Sequence, residues 1–411
     1  MLRKDRTLYY GAAVASLSSL YAWWYFTKAC CPPRVFVSEG RLKELLKTGV
    51  PNLWKPYRPT PWLVFSHLQT VAGVIRRIGG NVYERELLRF ADGGTVGLDW
   101  FKDSANSSKW GPETPIVLVL HGLTGGSQEG YCRWMCTAAR NHGWRSVVFN
   151  YRGCNGVPHT SHKGYCVTET EDLEAVVNHI KRRFSAAPLF VASYSLGSLM
   201  LCKYLGDSDA RIKSGGPGSQ VEAAGLVSCP CCMHSNQENI EKPWSIPYLF
   251  NLILAYRLKQ YAKENKEQYG PHPRVDEDTV SQVRTLRDFE EATIVQVYDL
   301  PSIAEYRDMG SSRNHIPSIQ TNSLILVSED DPFIGDLPYA EALLNPMTAL
   351  AKTSRGGHVA FLQGLWPFGQ AWMEDTLMQF FESAHKEWLA KKKTAEQHLL
   401  FPKPAKILSA L

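Results

Sequence analysis

The feature that most constrains the fold is a serine between an apolar strand-like run and an apolar helix-like run. Residues 189–192, LFVA, predict a buried strand, and residues 199–205, LMLCKYL, predict a helix. A sharp strand-to-helix turn would push the Ser195 hydroxyl out of the backbone, next to a helix N-terminus that favours developing negative charge. The sequence therefore predicts a nucleophile elbow at Ser195.

The turn reads S-x-S-x-G, whereas the usual elbow motif is G-x-S-x-G. Ser193 occupies the first position and is small enough for a crowded turn. We expect it to pack closely against a neighbouring strand, with no room for a larger side chain. A serine between small residues also has a purely structural interpretation, so the assignment depends on partners elsewhere in the chain.

Strand and helix patterns alternate along the chain. A hairpin is predicted over 84–90 and 95–101, further strands over 115–120, 146–150, 222–227, 323–328 and 348–354, and helices over 131–142, 168–184 and 366–391. This alternation predicts an α/β fold with a mostly parallel, doubly wound sheet and helices on both faces.

A His-Gly turn follows the strand at 115–120 directly. In His121-Gly122-Leu123, the glycine allows the backbone to approach a substrate oxygen closely. A turn of this type supplies one backbone amide of an oxyanion hole, and the residue after the nucleophile supplies the other. The predicted oxyanion donors are the amides of Leu123 and Leu196.

Acidic residues and a histidine follow the last two predicted strands. Glu329, Asp330 and Asp331 come after residues 323–328, and His358 lies in a Gly-Gly-His loop after the final strand. Asp331 is the favoured acid because it is the third residue after Ser328, and Asp330 is the alternative. The order serine, acid, histidine is that of an α/β-hydrolase, and strand ends in an open α/β sheet meet at one edge.

Seven segments resemble the AB hydrolase 4 family of the AB hydrolase superfamily, over nearly the whole chain. They are PWLVFSHLQT, ADGGTVGLDW, LHGLTG, FNYRGC, TEDLEAVVNHI, SEDDPF and GGHVAFLQG. The resemblance implies an α/β-hydrolase fold, a charge relay of Ser195, Asp331 and His358, acyl-ester hydrolysis of phospholipase or carboxylesterase type, and a single-pass type II membrane protein. The chain departs from the family pattern at Ser193 and Ser198, where small residues or glycine are usual.

The N-terminus predicts a membrane anchor. Residues 7–27 carry no charge over about 20 residues, the length of a bilayer-spanning helix, with aromatic residues at both ends. A cleaved signal peptide and a buried core helix are the alternatives. Three basic residues precede the run, which predicts a cytosolic N-terminus and a lumenal or extracellular catalytic domain, with the endoplasmic reticulum as one candidate membrane.

These patterns divide the chain into four parts. We predict a signal-anchor segment over 1–28, a juxtamembrane lead-in over 29–82, the hydrolase domain over 83–391 and a C-terminal tail over 392–411. Residues 229–286 are not strand-like and contain the aromatic stretch 247–256. An insertion after the strand that follows the nucleophile predicts a cap over the acyl pocket, with ordinary core helices as the alternative.

Composition and cysteine spacing argue against a nucleic-acid-binding protein and against a metalloprotein. The net charge is +5, and no Lys/Arg stripe interleaved with aromatic residues is present, so we expect no nucleic-acid partner. Cys229-Pro230-Cys231-Cys232 and His234 suggest a metal site at first, but the cysteines are too close together for one zinc ion and no second C-x-x-C pair exists. We therefore expect no metal and no cofactor.

Together these features predict a membrane-anchored serine hydrolase of acyl esters. A lipid ester, above all a phospholipid, is the expected substrate, because an anchor and an apolar cap both favour molecules that partition into a bilayer. Two alternatives remain open: an acyltransferase that uses the same acyl-enzyme, and a catalytically silent, membrane-tethered binding protein that keeps the fold.

Overall fold

The computed structural model describes residues 2–76, 82–103, 106–269 and 272–400. Within this part of the chain nine strands are formed: β1 Arg34–Phe36, β2 Tyr83–Arg89, β3 Thr95–Phe101, β4 Ile116–Leu120, β5 Arg145–Asn150, β6 Leu189–Tyr194, β7 Ala223–Val227, β8 Asn322–Ser328 and β9 Thr348–Thr353. They make one sheet in the order β1-β9-β8-β7-β6-β4-β5-β3-β2.

The described α-helices are α1 Leu2–Trp24, α2 Arg41–Gly49, α3 Ser66–Ile75, α4 Gly130–Asn141, α5 Glu171–Arg183, α6 Leu196–Ile212, α7 Met233–Ile240, α8 Ile246–Glu264, α9 Lys266–Tyr269, α10 Glu277–Gln282, α11 Leu286–Phe289, α12 Val295–Val297, α13 Ile303–Gly310, α14 Tyr339–Leu344 and α15 Trp372–Leu400. Two π-helical turns are Tyr25–Ala29 and Glu290–Ile294. Short 3₁₀ turns are Pro51–Leu53, Pro61–Leu63, Ser107–Lys109, Ser312–Asn314 and Ile316–Ser318.

The sheet is mostly parallel, as predicted. Strands β5, β4, β6, β7, β8 and β9 run parallel to one another, whereas β1 pairs with β9 and β3 with both β2 and β5 in antiparallel fashion. Parallel strands need crossover connections, and the helices between them supply these connections. The doubly wound, mostly parallel α/β sheet predicted from the alternating pattern is therefore confirmed.

Helices cover both faces of the sheet because its central strands are apolar on both sides. In β4, Val117 and Val119 belong to one core cluster, which also includes buried residues of α2, α4 and α15. The alternate residues Ile116, Leu118 and Leu120 belong to the other cluster, with buried residues of α5 and α6. The period of two along the strand thus divides the core into two layers.

The segment over 29–82 contributes to this core. Strand β1 forms one edge of the sheet and pairs with β9, with Val35 opposite Ala351. Helix α2 buries Leu42, Leu45 and Leu46 in the same cluster as α15. The sequence analysis did not identify β1, because three residues are too few for a periodic pattern. The proposed domain boundaries remain predictions.

The prediction of a membrane-spanning helix over residues 1–28 is not supported. Helix α1 is formed, but no helix in the described ranges is both long and apolar enough to cross a membrane. The physical reason is composition: Ser, Thr, Gly, Tyr and Trp make up much of this uncharged run and contribute little hydropathy.

The last helix differs from its prediction at both ends. It begins at Trp372 rather than at 366, and residues 364–369 form bends and turns instead. It continues to Leu400, beyond the predicted boundary of the tail at 392. Residues 401–411 of the predicted tail lie outside the described residues.

Between β7 and β8 the described chain is helical and contains α7 to α13. Some of its apolar residues, including Leu258, Val280 and Phe289, form a small cluster of their own, whereas Tyr261 and Ile294 join the main core. This helical segment forms one wall of the cavity described below. Its status as a cap domain remains a prediction.

Candidate active site

Ser195 stands on a strained turn between β6 and α6. Its φ of +52° and ψ of −119° lie outside the regions that side chains other than glycine usually adopt. Strain of this kind costs about 1–3 kcal/mol and persists only where surrounding contacts hold it. One such contact is the hydrogen bond that the Ser195 amide donates to the Val227 carbonyl, at 2.9 Å.

Ser193 is completely buried, in agreement with the expectation of close packing. Its hydroxyl also forms hydrogen bonds that the sequence analysis did not foresee. The Ser193 Oγ lies 3.0 Å from the Gly225 carbonyl and 3.1 Å from the Ser198 Oγ, and the Ser198 hydroxyl donates to the Val227 carbonyl at 3.1 Å. The two serines that depart from the usual motif thus connect the elbow to β7.

Gly197 satisfies a space requirement that no other residue would meet. A Cβ at this position would lie 2.7 Å from the His121 carbonyl oxygen and 2.9 Å from the Leu120 carbonyl oxygen. Both neighbours are backbone atoms, which cannot rotate away. The last position of the motif therefore requires glycine, whereas the first accommodates serine.

The structure brings the predicted serine, histidine and acid together. The Ser195 Oγ lies 2.9 Å from His358 Nε2, and His358 Nδ1 lies 2.8 Å and 3.0 Å from the Asp331 carboxylate oxygens. Because a carboxylate only accepts, Nδ1 carries the proton, and Nε2 is free to accept the Ser195 proton. The Thr70 hydroxyl accepts a hydrogen bond from the His358 amide at 2.9 Å and fixes the loop.

The neighbouring acids have different surroundings. Asp331 is fully buried at its side chain and also accepts a hydrogen bond from the Phe333 amide at 2.9 Å. Asp330 instead accepts from the Gly357 amide at 3.0 Å and from the Ser328 hydroxyl, and burial raises its pKa. Glu329 is exposed and paired with Lys352. Of the three, only Asp331 contacts His358.

Hydrogen bonds from several side chains hold the loop after β4. His121 Nδ1 donates to the Gly122 carbonyl at 2.7 Å, and burial lowers the pKa of His121 to about 4, so the ring is neutral. The Tyr131 hydroxyl accepts from the Gly122 amide at 3.0 Å, and the Tyr165 hydroxyl accepts from the Thr124 amide at 3.2 Å. These contacts fix the amides on either side of Leu123.

A cavity of about 440 Å³ opens in front of Ser195. Its lining is mostly apolar and comes from α3, the loop after β4, and the helical segment between β7 and β8. Both Leu123 and Leu196 line it. The Phe333 ring packs on His358 with 4.4 Å between the ring centroids. The sequence analysis did not assign α3 to this site, because no chemical motif marks its apolar residues.

One buried ion pair interrupts the apolar lining. Arg307 Nη2 lies 3.6 Å from Glu290 Oε2, and both side chains line the cavity. Burial raises the pKa of Glu290 to about 7, against the lowering effect of Arg307. Glu290 begins one of the two π-helical turns, which often occur at functional sites.

The cysteine-rich segment after β7 is buried. Cys229 Sγ lies 3.2 Å from the Ser312 hydroxyl, and the Cys231 thiol donates to the Cys229 carbonyl at 3.3 Å. In the described ranges no cluster of three or more His, Cys, Asp or Glu side chains is arranged to hold a metal ion.

Comparisons with known proteins place the chain among alpha/beta hydrolases. A family model for the alpha/beta hydrolase fold matches residues 115–215. Phospholipase ABHD3 of Bos taurus is 32% identical over 375 residues, which cover 90% of this chain and 89% of that protein. Monoacylglycerol lipase of Saccharomyces cerevisiae is 26% identical over 398 residues, with 86% of each chain covered. A solved esterase of Pyrococcus furiosus superposes with a TM-score of 0.44 at 15% identity, over 86% of this chain and 97% of that one.

Proposed function

The chain belongs to the AB hydrolase 4 family of the α/β-hydrolase superfamily, and we propose that it is a serine hydrolase that cleaves acyl esters of lipids. The observation that carries the proposal is the hydrogen-bonded series Ser195, His358 and Asp331 at the wall of an apolar cavity. Ser195 is the nucleophile, His358 the general base and acid, and Asp331 the group that orients the imidazole.

The reaction proceeds through an acyl-enzyme. His358 Nε2 takes the Ser195 proton while Oγ bonds to the carbonyl carbon and the C=O electron pair moves to oxygen. Collapse of this intermediate expels the alcohol, which takes the proton from His358. Water then attacks the acyl-enzyme and passes a proton to His358. Collapse of the second intermediate releases the fatty acid, and the Ser195 Oγ takes the proton from His358. Asp331 holds the Nδ1 proton and stabilises the imidazolium.

The developing oxyanion requires donors that are already in position. The amides of Leu123 and Leu196 are the proposed donors, since Leu196 is the first residue of α6 and Leu123 lies on the loop fixed by Tyr131 and Tyr165. Loss of one such donor typically costs about 3 kcal/mol of transition-state stabilisation.

An apolar cavity favours a substrate with an acyl chain. Relatives that are named phospholipase and monoacylglycerol lipase support the same class. Within it we propose a phospholipid or another lipid carboxylic ester. No metal or cofactor takes part in these steps, because the serine, the imidazole and the backbone amides supply the nucleophile, the base and the electrophilic donors.

Exposed apolar residues on α3 and α8 support contact with a lipid surface. Val71, Val74, Ile75 and Ile253 line the cavity and are each between 46% and 65% exposed. Apolar side chains that are shared between a pocket and its outer rim would allow a lipid to pass from a bilayer into the cavity. We therefore propose that the enzyme works at a membrane surface.

A fluorophosphonate probe tests the nucleophile. Wild type and Ser193→Ala should be labelled and Ser195→Ala should not; the Ser193 variant is a matched control because it loses a hydroxyl from the same turn. Labelling of Ser195→Ala would overturn the assignment.

Turnover of a phospholipid and a monoacylglycerol with the same acyl chain separates the two lipid classes. The same reactions with and without an acceptor alcohol separate hydrolysis from acyl transfer.

A further inference from the structure

Tyr131 is the second residue of α4 and lines the cavity beside Ser195. Its ring packs against Tyr194, with 4.7 Å between the ring centroids. Two glycines of the loop after β4 leave space for its hydroxyl. A Cβ on Gly125 would lie 3.1 Å from the Tyr131 Oη, and a Cβ on Gly122 would lie 3.4 Å from it and 3.3 Å from the Ser195 Cβ. The hydroxyl and the nucleophile thus flank the same glycine.

The hydrogen bonding of this hydroxyl is incomplete. The Tyr131 Oη accepts a hydrogen bond from the Gly122 amide at 3.0 Å, which occupies a lone pair but not the proton. In the described part of the chain, no acceptor lies within reach of the hydroxyl proton. Burial raises the pKa of Tyr131, so the hydroxyl stays protonated at neutral pH. A partly buried donor at the wall of a reactive cavity is therefore available to a substrate oxygen.

We propose that Tyr131 is a third oxyanion donor and hence a catalytic residue. This inference rests on the proposed function of Ser195. As the Ser195 Oγ bonds to the carbonyl carbon, the C=O electron pair moves to oxygen, and the Tyr131 O–H donates a hydrogen bond to that oxygen without transferring its proton. When the C=O bond re-forms, the hydrogen bond weakens again. The Gly122 amide, which donates to the same phenol oxygen, strengthens the hydroxyl as a donor.

Tyr165 provides the matched comparison. Its hydroxyl also accepts a hydrogen bond from an amide of this loop, that of Thr124, and its ring also lines the cavity. In contrast to Tyr131, Tyr165 has a further hydrogen bond, with the Cys154 thiol. Replacing either tyrosine by phenylalanine removes one support of the loop, but only Tyr131→Phe removes a donor to the substrate.

The two variants are compared on a soluble short-chain ester and with a trifluoromethyl ketone that forms a hemiketal with the nucleophile. For Tyr131→Phe we expect kcat to fall about 100-fold, KM to change less than about threefold, and affinity for the ketone to fall by the same factor as kcat. Tyr165→Phe should lose less than about tenfold in kcat. Equal losses in the two variants, or a Tyr131→Phe effect confined to KM, would overturn the proposal.

Fluorotyrosine at position 131 separates donation from loop support even if a phenylalanine variant folds poorly. A more acidic phenol is a stronger donor to the oxyanion and a weaker acceptor for the Gly122 amide. The proposal therefore predicts that kcat rises with the acidity of the fluorotyrosine, and a fall in kcat would refute it. Phosphonate labelling of Ser195 separates failure of the proposed function from failure of the role of Tyr131. If wild type is not labelled, the proposed serine-hydrolase function is wrong. If wild type is labelled normally and Tyr131→Phe has unchanged kinetics, only the role of Tyr131 is wrong.

Discussion

Removal of the Ser193 hydroxyl tests what the altered elbow motif does. The Ser193 Oγ lies 3.0 Å from the Gly225 carbonyl, and the Ser198 Oγ lies 3.1 Å from the Val227 carbonyl. The two hydroxyls are also 3.1 Å apart. Each hydroxyl has one proton, so the arrangement that satisfies both carbonyls assigns one proton to each. The contact between the hydroxyls then adds little.

The expected magnitudes follow from this count. Ser193→Ala removes one buried hydrogen bond, a net loss of about 1 kcal/mol in the free energy of unfolding. Ser198→Ala should cost a similar amount, also about 1 kcal/mol. Because each proton has its own carbonyl, the double variant should show a coupling energy below about 1 kcal/mol. Ser193→Gly should destabilise by about 0.5–1 kcal/mol more than Ser193→Ala, since glycine in a strand loses more backbone entropy.

Denaturant titrations of wild type, the three single variants and the double variant measure these values, and turnover of a soluble ester provides the functional readout. We expect kcat/KM to change less than about threefold in the Ser193 variants, because neither touches the reacting atoms. If Ser193→Gly is as stable as wild type and reacts faster, the side chain strains the turn instead of supporting it, and this interpretation is wrong.

Three further predictions concern buried charges and proton positions. Asp331→Asn should lower kcat about 10⁴-fold by favouring the wrong imidazole tautomer, whereas Asp330→Asn should lose less than about tenfold, as measured by ester turnover at equal folded fraction. Burial lowers the pKa of His121 to about 4, so between pH 6.5 and about 4 the histidine takes up a proton in the unfolded chain but not in the folded protein. As the pH is lowered over this range, the free energy of unfolding should therefore decrease by about 3 kcal/mol more in wild type than in His121→Asn. If the difference in unfolding free energy between wild type and His121→Asn does not change with pH, burial does not lower the pKa of His121. The side chains of Arg76 and Glu374 are fully buried, with Arg76 Nη2 2.5 Å from Glu374 Oε1. Arg76→Met leaves the carboxylate unpaired and should lower the free energy of unfolding by about 3–5 kcal/mol in a denaturant titration, and the added substitution Glu374→Leu should restore much of that stability.

The sequence predicted the fold and the chain order of the site because both depend on local patterns. Apolar runs identified the central strands, and parallel strands bring their carboxyl ends to one edge, so Ser195 and His358 meet although they are 163 residues apart. Local patterns do not decide between Asp330 and Asp331. Adjacent residues of a loop point in different directions, and the backbone that decides between them is fixed by contacts with residues far away in the chain.

Features that depend only on tertiary contacts were not predicted. Tyr131 is an ordinary helix residue in the sequence, and its position beside Gly122 follows from the packing of α4 against the loop. The pair of Glu290 and Arg307 joins two separate helical turns, with no spacing that marks it. The N-terminal run combines a lack of charge with modest hydropathy, and no helix in the described ranges is long and apolar enough to span a membrane.

The elbow motif separates into two physical requirements when its positions are considered singly. At Gly197 a Cβ would meet backbone oxygens of two residues, so the requirement is absolute. At Ser193 there is space for a small side chain, and the serine hydroxyl donates a hydrogen bond to the Gly225 carbonyl of β7. A strained nucleophile can thus be held by contacts instead of by glycine, provided that the neighbouring strand offers a carbonyl in the right place. The departure from the motif is therefore compatible with an intact site.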